Sequence, residues 1–318
     1  MLTRLRSLAL VSVALVGLVA APSGAGAAAK LPVPYDFLVS AIAAGTNFTG
    51  NAPGTNDWHC KPSAAHPEPV VLVHGFLGDK TTNWQTYGPL LKNNGYCVFA
   101  LTYGASPSIP APYNQALGGL NPIPQSAAEL GVFVRKVLAA THAAKVDIVG
   151  HSEGTVVPDY YAKFLGGAPY IAKYISLAPL WHGTSAGGLA TLYQLSAVYG
   201  LKPVVDALTG AFAPVVTEFF AGSPMVAKLR SGGTPAVKGI AYTNITTKYD
   251  ELVTPYTSGI QAGMKNYVVQ NYCKTDFTEH FEIVADPVAA GLVLNALDPA
   301  HPRPIPCTVV LPFIGTVA

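Results

Sequence analysis

A serine hydroxyl is a weak nucleophile at neutral pH, and it attacks an acyl carbon only when a base, itself oriented by a carboxylate, takes its proton. Ser152 lies in Gly150-His151-Ser152-Glu153-Gly154, and Asp250 and His280 follow it in the chain. Where a serine stands on a sharp strand-to-helix turn, the acid and then the histidine come later in the sequence, in that order. Asp250 closes Thr246-Thr247-Lys248-Tyr249-Asp250 directly after a predicted strand. That places it at the carboxyl edge of a sheet, where open α/β folds keep their sites. Asp286 precedes Pro287 and suits a helix cap, and Asp159 is expected to point off the helix after the serine. Of the histidines beyond Ser152, His301 sits in a proline-rich tail and reads as solvated. His182 follows the strand after the serine and is expected to shape a pocket floor. His280, in the loop before the final helix, is the expected base. The oxyanion formed by the attack needs fixed N–H donors. Glu153, next to the nucleophile, offers one, and Phe76, in His74-Gly75-Phe76 after the first buried strand, offers the second. His74 reads as a packing and loop-bonding residue.

The elements that must hold these groups follow from periodicity. Val146, Ile148 and Val149 form a short apolar strand, and Val156, Tyr160, Tyr161 and Phe164 recur at helical spacing. Gly150 and Gly154 leave room where that strand and helix nearly touch. Pro158 falls inside the predicted helix and should kink it. Further strands are predicted at 70–73, 96–101, 174–178, 238–246 and 267–270. A helix is predicted over 82–93 with Gly95 as its stop. Ser126-Ala127-Ala128-Glu129 has the capping-box pattern ahead of Leu130, Phe133, Val134, Val137 and Leu138. Asp286-Pro287 opens the last helix. Strands alternating with helices imply a mostly parallel, doubly wound α/β sheet with helices on both faces. Residues 30–69 read as an irregular arm over the body, and Asp147, within the strand before the serine, reads as a solvent-edge or loop-anchoring carboxylate.

The first residues form an export leader. Arg4 and Arg6 precede an apolar run, and Ala25-Gly26-Ala27 fits a cleavage site. The expected signal peptide is 1–27, with cleavage after Ala29 as the alternative, and a secreted chain of one domain, 28–318. Of the 19 basic residues two lie in the leader, which leaves 17 against 17 acidic ones. A neutral chain with no basic patch argues against nucleic acid. Half of the residues are hydrophobic and only 11% are charged, so a large core is accompanied by apolar surface. The four cysteines of a secreted chain imply two disulfides. Cys60 precedes the first strand and Cys97 opens its neighbour. Cys273 leaves the last strand and Cys307 lies past the final helix. Pairing Cys60 with Cys97 and Cys273 with Cys307 would clip each end to the body. No spacing suits a zinc site, and no cofactor or metal is expected.

Together, N-D-W-H-C-K-P-S-A-A-H-P at 56–67, V-V-L-V-H-G at 70–75, G-Y-C-V-F-A-L at 95–101 and V-D-I-V-G-H-S-E-G at 146–154 resemble the secreted actinobacterial lipases and esterases of the class 2 lipase family. T-K-Y-D-E-L-V-T-P-Y at 247–256 and D-P-V-A at 286–289 extend the likeness. The resemblance implies an α/β-hydrolase fold and a carboxylic-ester or triacylglycerol hydrolase. It places Ser152, Asp250 and His280 in the catalytic roles and Phe76 and Glu153 at the oxyanion. The chain departs from the family in carrying Glu153 where Gln is frequent and Thr155 where a second glycine is frequent. A carboxylate beside the oxyanion would slow turnover unless it points away or is paired.

Between Ser185 and Ala227 only Lys202, Asp206 and Glu218 are charged. The stretch reads either as ordinary buried helices or as a cap (185–233 at its widest) that lines an acyl pocket and meets lipid. The expected partner is a lipid or small-ester substrate, with a lipid interface where a lid operates, and the expected state is a monomer. A polyester hydrolase or an acyltransferase would use the same residues. An inactive envelope protein on the same scaffold is the reading outside enzymology.

Overall fold

In the computed structural model, residues 29–198, 200 and 215–317 are described. The leader predicted over 1–27 and the part of the predicted cap at 199 and 201–214 lie outside the described residues. Six parallel strands form the central sheet in the order β2-β1-β3-β4-β5-β6. They are β1 (Val70–Val73), β2 (Val98–Leu101), β3 (Val146–His151), β4 (Ile171–Leu177), β5 (Ala241–Thr246) and β6 (Lys265–Val268). β1 and β3 are buried along their whole length, which is why they read as continuous apolar runs and not as alternating ones. Successive side chains still go to opposite faces. Val71, Val73, Phe99 and Ile148 enter one core, and Val70, Leu72, Val98 and Val149 enter the other.

Helices cover both faces. They are α1 (Phe37–Gly45), α2 (Tyr87–Asn93), α3 (Ile123–Thr141), α4 (Val157–Phe164), α5 (Ala186–Val198), α6 (Pro224–Leu229), the single turn α7 (Val269–Tyr272) and α8 (Pro287–Leu297). A two-stranded ribbon, β7 (Val310–Leu311) with β8 (Gly315–Thr316), ends the chain. Cys60 is bonded to Cys97 and Cys273 to Cys307. None of the helices among the described residues is long and apolar enough to cross a membrane.

Several local expectations are corrected. The arm at 30–69 contains α1, whose N-cap Asp36 accepts a hydrogen bond from the Ser40 N–H. α2 begins only at Tyr87, because Asp79 Oδ1 accepts the N–H groups of Thr81 (2.6 Å) and Thr82 (2.9 Å) and holds 79–86 in turns. The capping box at 126–129 does not form. α3 starts earlier, at Ile123, where Pro122 and Pro124 suit a first turn whose N–H groups need no partner. Ser126 is then inside the helix, and Glu129 Oε2 reaches out to the Gly104 N–H at 2.9 Å. Pro158 makes no kink either. A 3-10 turn over Ser152–Thr155 delays α4 until Val157, so the proline falls in the first turn, where its missing N–H costs nothing. Asp286 caps α8 as expected, accepting from the Ala289 N–H at 2.6 Å.

Candidate active site

Three segments at the carboxyl ends of the strands meet here. The first is the turn between β3 and α4. Ser152 stands there with φ 53°, a left-handed conformation that a non-glycine residue holds only under constraint. The constraint is close packing. A Cβ on Gly150 would lie 2.1 Å from the Gly154 oxygen, and one on Gly154 would lie 2.0 Å from the Val73 oxygen. Strand, turn and β1 therefore fit together only with glycine at both places. Thr155 adds a tie of its own. Its hydroxyl donates to the Ser152 oxygen at 2.6 Å and accepts from the Leu180 N–H at 3.2 Å. Its carbonyl takes the Tyr174 hydroxyl. The threonine hydroxyl thus ties the turn to Leu180, after β4, a link that a glycine could not make.

The second segment follows β5, and the third lies between α7 and α8. Ser152 Oγ is 3.0 Å from His280 Nε2, and His280 Nδ1 is 2.9 Å from Asp250 Oδ1. The same Asp250 oxygen accepts the N–H groups of Leu252 (3.0 Å) and Val253 (2.7 Å). Three donors on one oxygen is the arrangement that suits a charged carboxylate. Both His280 and Asp250 are buried, while Ser152 keeps partial access to solvent. For His280, burial alone would lower the pKa. The charge and hydrogen bond of Asp250, with Glu251 and Glu279 behind them, overcome this and raise it above 6.5.

The loop after β1 runs beside Ser152. A Cβ on Gly75 would approach Ser152 Cβ to 3.1 Å, and Phe76 lines the cavity above Ser152. This loop is backed by the segment after β2, through Leu77 N–H to Gly118 O (3.0 Å) and Gly118 N–H to Gly78 O (2.7 Å). His74 supports the junction. Its ring stacks on Tyr103 with centroids 4.3 Å apart, its Nδ1 meets the Gly75 oxygen, and its Nε2 accepts the Tyr103 N–H. Burial lowers its pKa to about 4, so the ring is neutral.

Glu153 points away from this cavity. Its side chain is fully buried, and neither carboxyl oxygen has a hydrogen-bond partner among the described residues. One oxygen occupies the space that a side chain on Gly119 would need, 2.3 Å from where its Cβ would sit. Burial, and then the charge of Glu218, push its pKa well above the ordinary value. Burial without donors disfavours its charged form, and its side chain is not among the groups that line the cavity.

A cavity of about 500 Å³ opens in front of Ser152. Its walls are mostly apolar: Phe37, Leu38 and Ile42 from α1, Leu195 from α5, and Phe219 and Val253. The share taken by α1 was missed in the sequence. The signal was present, an uncharged run Phe37–Ala44 after a capping aspartate, but prolines and asparagines around it obscured the periodicity.

His182 does not form the floor. It hydrogen-bonds Arg230 Nη1 at 3.1 Å and borders a separate shallow depression with Thr254 and Thr257. Leu180 and Thr184, on either side of it, line the cavity instead. Asp147 is buried and not at a solvent edge. It binds both the N–H and the Nζ of Lys173 at 3.0 Å and so anchors β4. Asp159 also turns inward, accepting the Tyr242 hydroxyl at 3.1 Å between α4 and β5. His301 is exposed and paired with Asp298.

The segment after β4 is stitched together at its base. Thr184 N–H donates to Phe219 O at 2.8 Å, and Ala221 N–H donates to Thr184 O at 2.9 Å. Lys163 holds the far end through the carbonyls of Leu229, Ser231 and Thr234.

Residues 67–178 match the family model described as lipase (class 2), so the chain carries the class 2 lipase signature over that segment. Triacylglycerol lipases of Pseudarthrobacter phenanthrenivorans and Burkholderia plantarii are each 33% identical over 104 residues. That stretch is 31% of this chain and 29% and 26% of theirs, so the match spans under a third of either relative. Among solved structures, Aspergillus fumigatus lipase B superposes with a TM-score of 0.58 at 19% identity, over 80% of this chain and 56% of that one. Mature Bacillus licheniformis lipase BlEst2 superposes with a TM-score of 0.55 at 16% identity, over 78% and 99%. The fold is that of the α/β-hydrolases.

Proposed function

We propose that this chain is an exported serine hydrolase of carboxylic esters that acts on lipid or small acyl esters through an acyl-enzyme. One observation carries the reading: the continuous hydrogen-bonded line Ser152–His280–Asp250 at the mouth of an apolar cavity. Ser152 Oγ attacks the ester carbonyl while His280 Nε2 takes its proton, and Asp250 stabilises the imidazolium that results. The backbone N–H groups of Phe76 and Glu153 receive the oxyanion. The tetrahedral intermediate collapses, the alcohol leaves with the proton from His280, and the acyl group remains on Ser152. A water molecule, deprotonated by the same imidazole, then releases the acid. The cavity between α1 and α5 takes the acyl chain, because its walls offer apolar surface and few polar partners. Export is supported by the leader pattern in the sequence and by two disulfides, which belong to an oxidising compartment. A monomer suffices, because all three reacting residues come from one chain.

Hydrolysis of a series of p-nitrophenyl esters of increasing acyl length tests this reading. Saturable turnover with an optimum set by the cavity is expected. Ser152→Ala should lower kcat by about 10⁶-fold while the fold persists, and near-normal turnover in that variant would refute the mechanism. The same assay, carried across the solubility limit of a short triglyceride, addresses the segment at 185–233. A jump in rate marks a mobile lid, and simple saturation marks a fixed wall.

A further inference from the structure

His280 is gripped through its own peptide group as well as through its ring. Its backbone N–H donates to Glu251 Oε2 at 3.2 Å, and its carbonyl oxygen faces His151 Nε2 at 3.0 Å. A carbonyl can only accept, so His151 donates there from Nε2. Each grip comes from the chain neighbour of another reacting residue, since Glu251 follows Asp250 and His151 precedes Ser152. The turn over 247–253 explains the first of them. Asp250 Oδ1 caps the Leu252 and Val253 N–H groups, which aims its carboxylate at the imidazole. The next side chain on the same turn then reaches the main chain of the same histidine. Two acids in succession thus address His280, one at Nδ1 and one at the backbone.

We propose that Glu251 is a positioning residue for the base, fixing the His280 main chain and placing a second negative charge behind the imidazolium formed during the reaction. The proposal rests on the reading of Ser152, His280 and Asp250 given above. General-base transfer needs Nε2 within hydrogen-bond reach of Oγ, and a displacement of about 1 Å can cost about 100-fold in rate. The titratable groups facing His280 are Asp250, Glu251, Glu279 and the neutral His151. Glu279 does not duplicate the grip, for its oxygens are taken by the N–H groups of Phe281, Glu282 and Phe313. Burial raises the pKa of Glu251, while the facing His280 lowers it in part, as expected of two groups that sense each other's charge.

Two variants of the full chain separate the two contributions. Glu251→Gln keeps an acceptor for the His280 N–H and removes the charge, and Glu251→Ala removes both. The readouts are the titration of the His280 ring by NMR, and kcat and KM on a soluble short-chain ester across pH. The ring midpoint should fall in both variants, because a carboxylate that favoured imidazolium is gone, and the acid limb of kcat/KM should move down with it. On the alkaline plateau, Glu251→Ala should lose about 10- to 100-fold in kcat with KM little changed, and Glu251→Gln should recover most of that loss. An unmoved ring midpoint together with wild-type kcat in both variants would overturn the proposal. If Glu251→Ala does not fold, the Glu251→Gln titration decides, and a midpoint equal to that of the wild type overturns it. The NMR titration does not depend on turnover. A wild-type chain that hydrolyses no ester would refute the proposed function, while the titration would still pass or fail on its own.

Discussion

Glu153 and Asp250 are both buried acids, each beside a reacting atom, and the fold treats them in opposite ways. Asp250 Oδ1 collects two backbone N–H groups and the His280 ring. Neither oxygen of Glu153 meets a donor among the described residues, and the charge that acts on it is that of another acid, Glu218. The residue types are nearly the same. What differs is the supply of donors, and that supply decides whether a buried carboxyl serves as an anion or as a neutral filler. In the proposed mechanism, one side of the site favours positive charge on His280, and the other disfavours a carboxylate near the oxyanion.

Replacing the acid on each side in turn sharpens this contrast. Asp250→Asn should lower kcat by about 10⁴-fold, because the imidazolium loses its partner and the ring its tautomer. Steady-state kinetics at the alkaline plateau measure this, and a loss of only a few-fold would mean that the donors on Asp250 serve the turn and not the reaction. The pH profile comes next in size. Neutral His280 is required to accept the Ser152 proton, and its pKa is raised above 6.5. Activity should therefore fall as pH drops through a value above 6.5, about tenfold per pH unit beyond it. A profile flat through that range would point to another base.

The smallest effect is expected on the other side. Glu153→Gln should leave kcat within the same order of magnitude, because the side chain lies outside the lining of the cavity and the amide keeps its shape. Its signature lies in stability. Glu153 has a folded pKa above its ordinary 4.5, so the folded state binds more protons and the wild type loses stability as pH rises above that value. The variant escapes this loss. Its Tm should match that of the wild type near about pH 4 and exceed it by a growing margin toward about pH 8. A margin that shrinks with pH would mean that Glu153 is ionised and paired.

The proposed reacting residues could be chosen from the sequence because the chemistry limits the choices. Only three histidines follow Ser152, and Asp250 directly trails a strand. The strand-to-helix turn at Ser152 was legible because two glycines bracket a serine between an apolar strand and a helical repeat. Helix starts were harder to place. Ser126 and Glu129 have the right types for a cap, yet Pro122 and Pro124 begin α3 earlier and free Glu129 for Gly104. The charge state of Glu153 and the direction of Asp159 depend on what surrounds them, and those neighbours come from distant segments such as Gly119 and Tyr242. The wall formed by α1 was missed for a related reason, since its apolar residues face a cavity that exists only once 195, 219 and 253 have come together.

The central claim is that Ser152 is a nucleophile activated by His280. Treatment of the folded chain with a fluorophosphonate, followed by peptide mass spectrometry, tests it most directly. A single adduct on the peptide that contains Ser152 is expected, with labelling that slows sharply in His280→Ala. A chain that stays unlabelled, or one labelled at another residue, would contradict it.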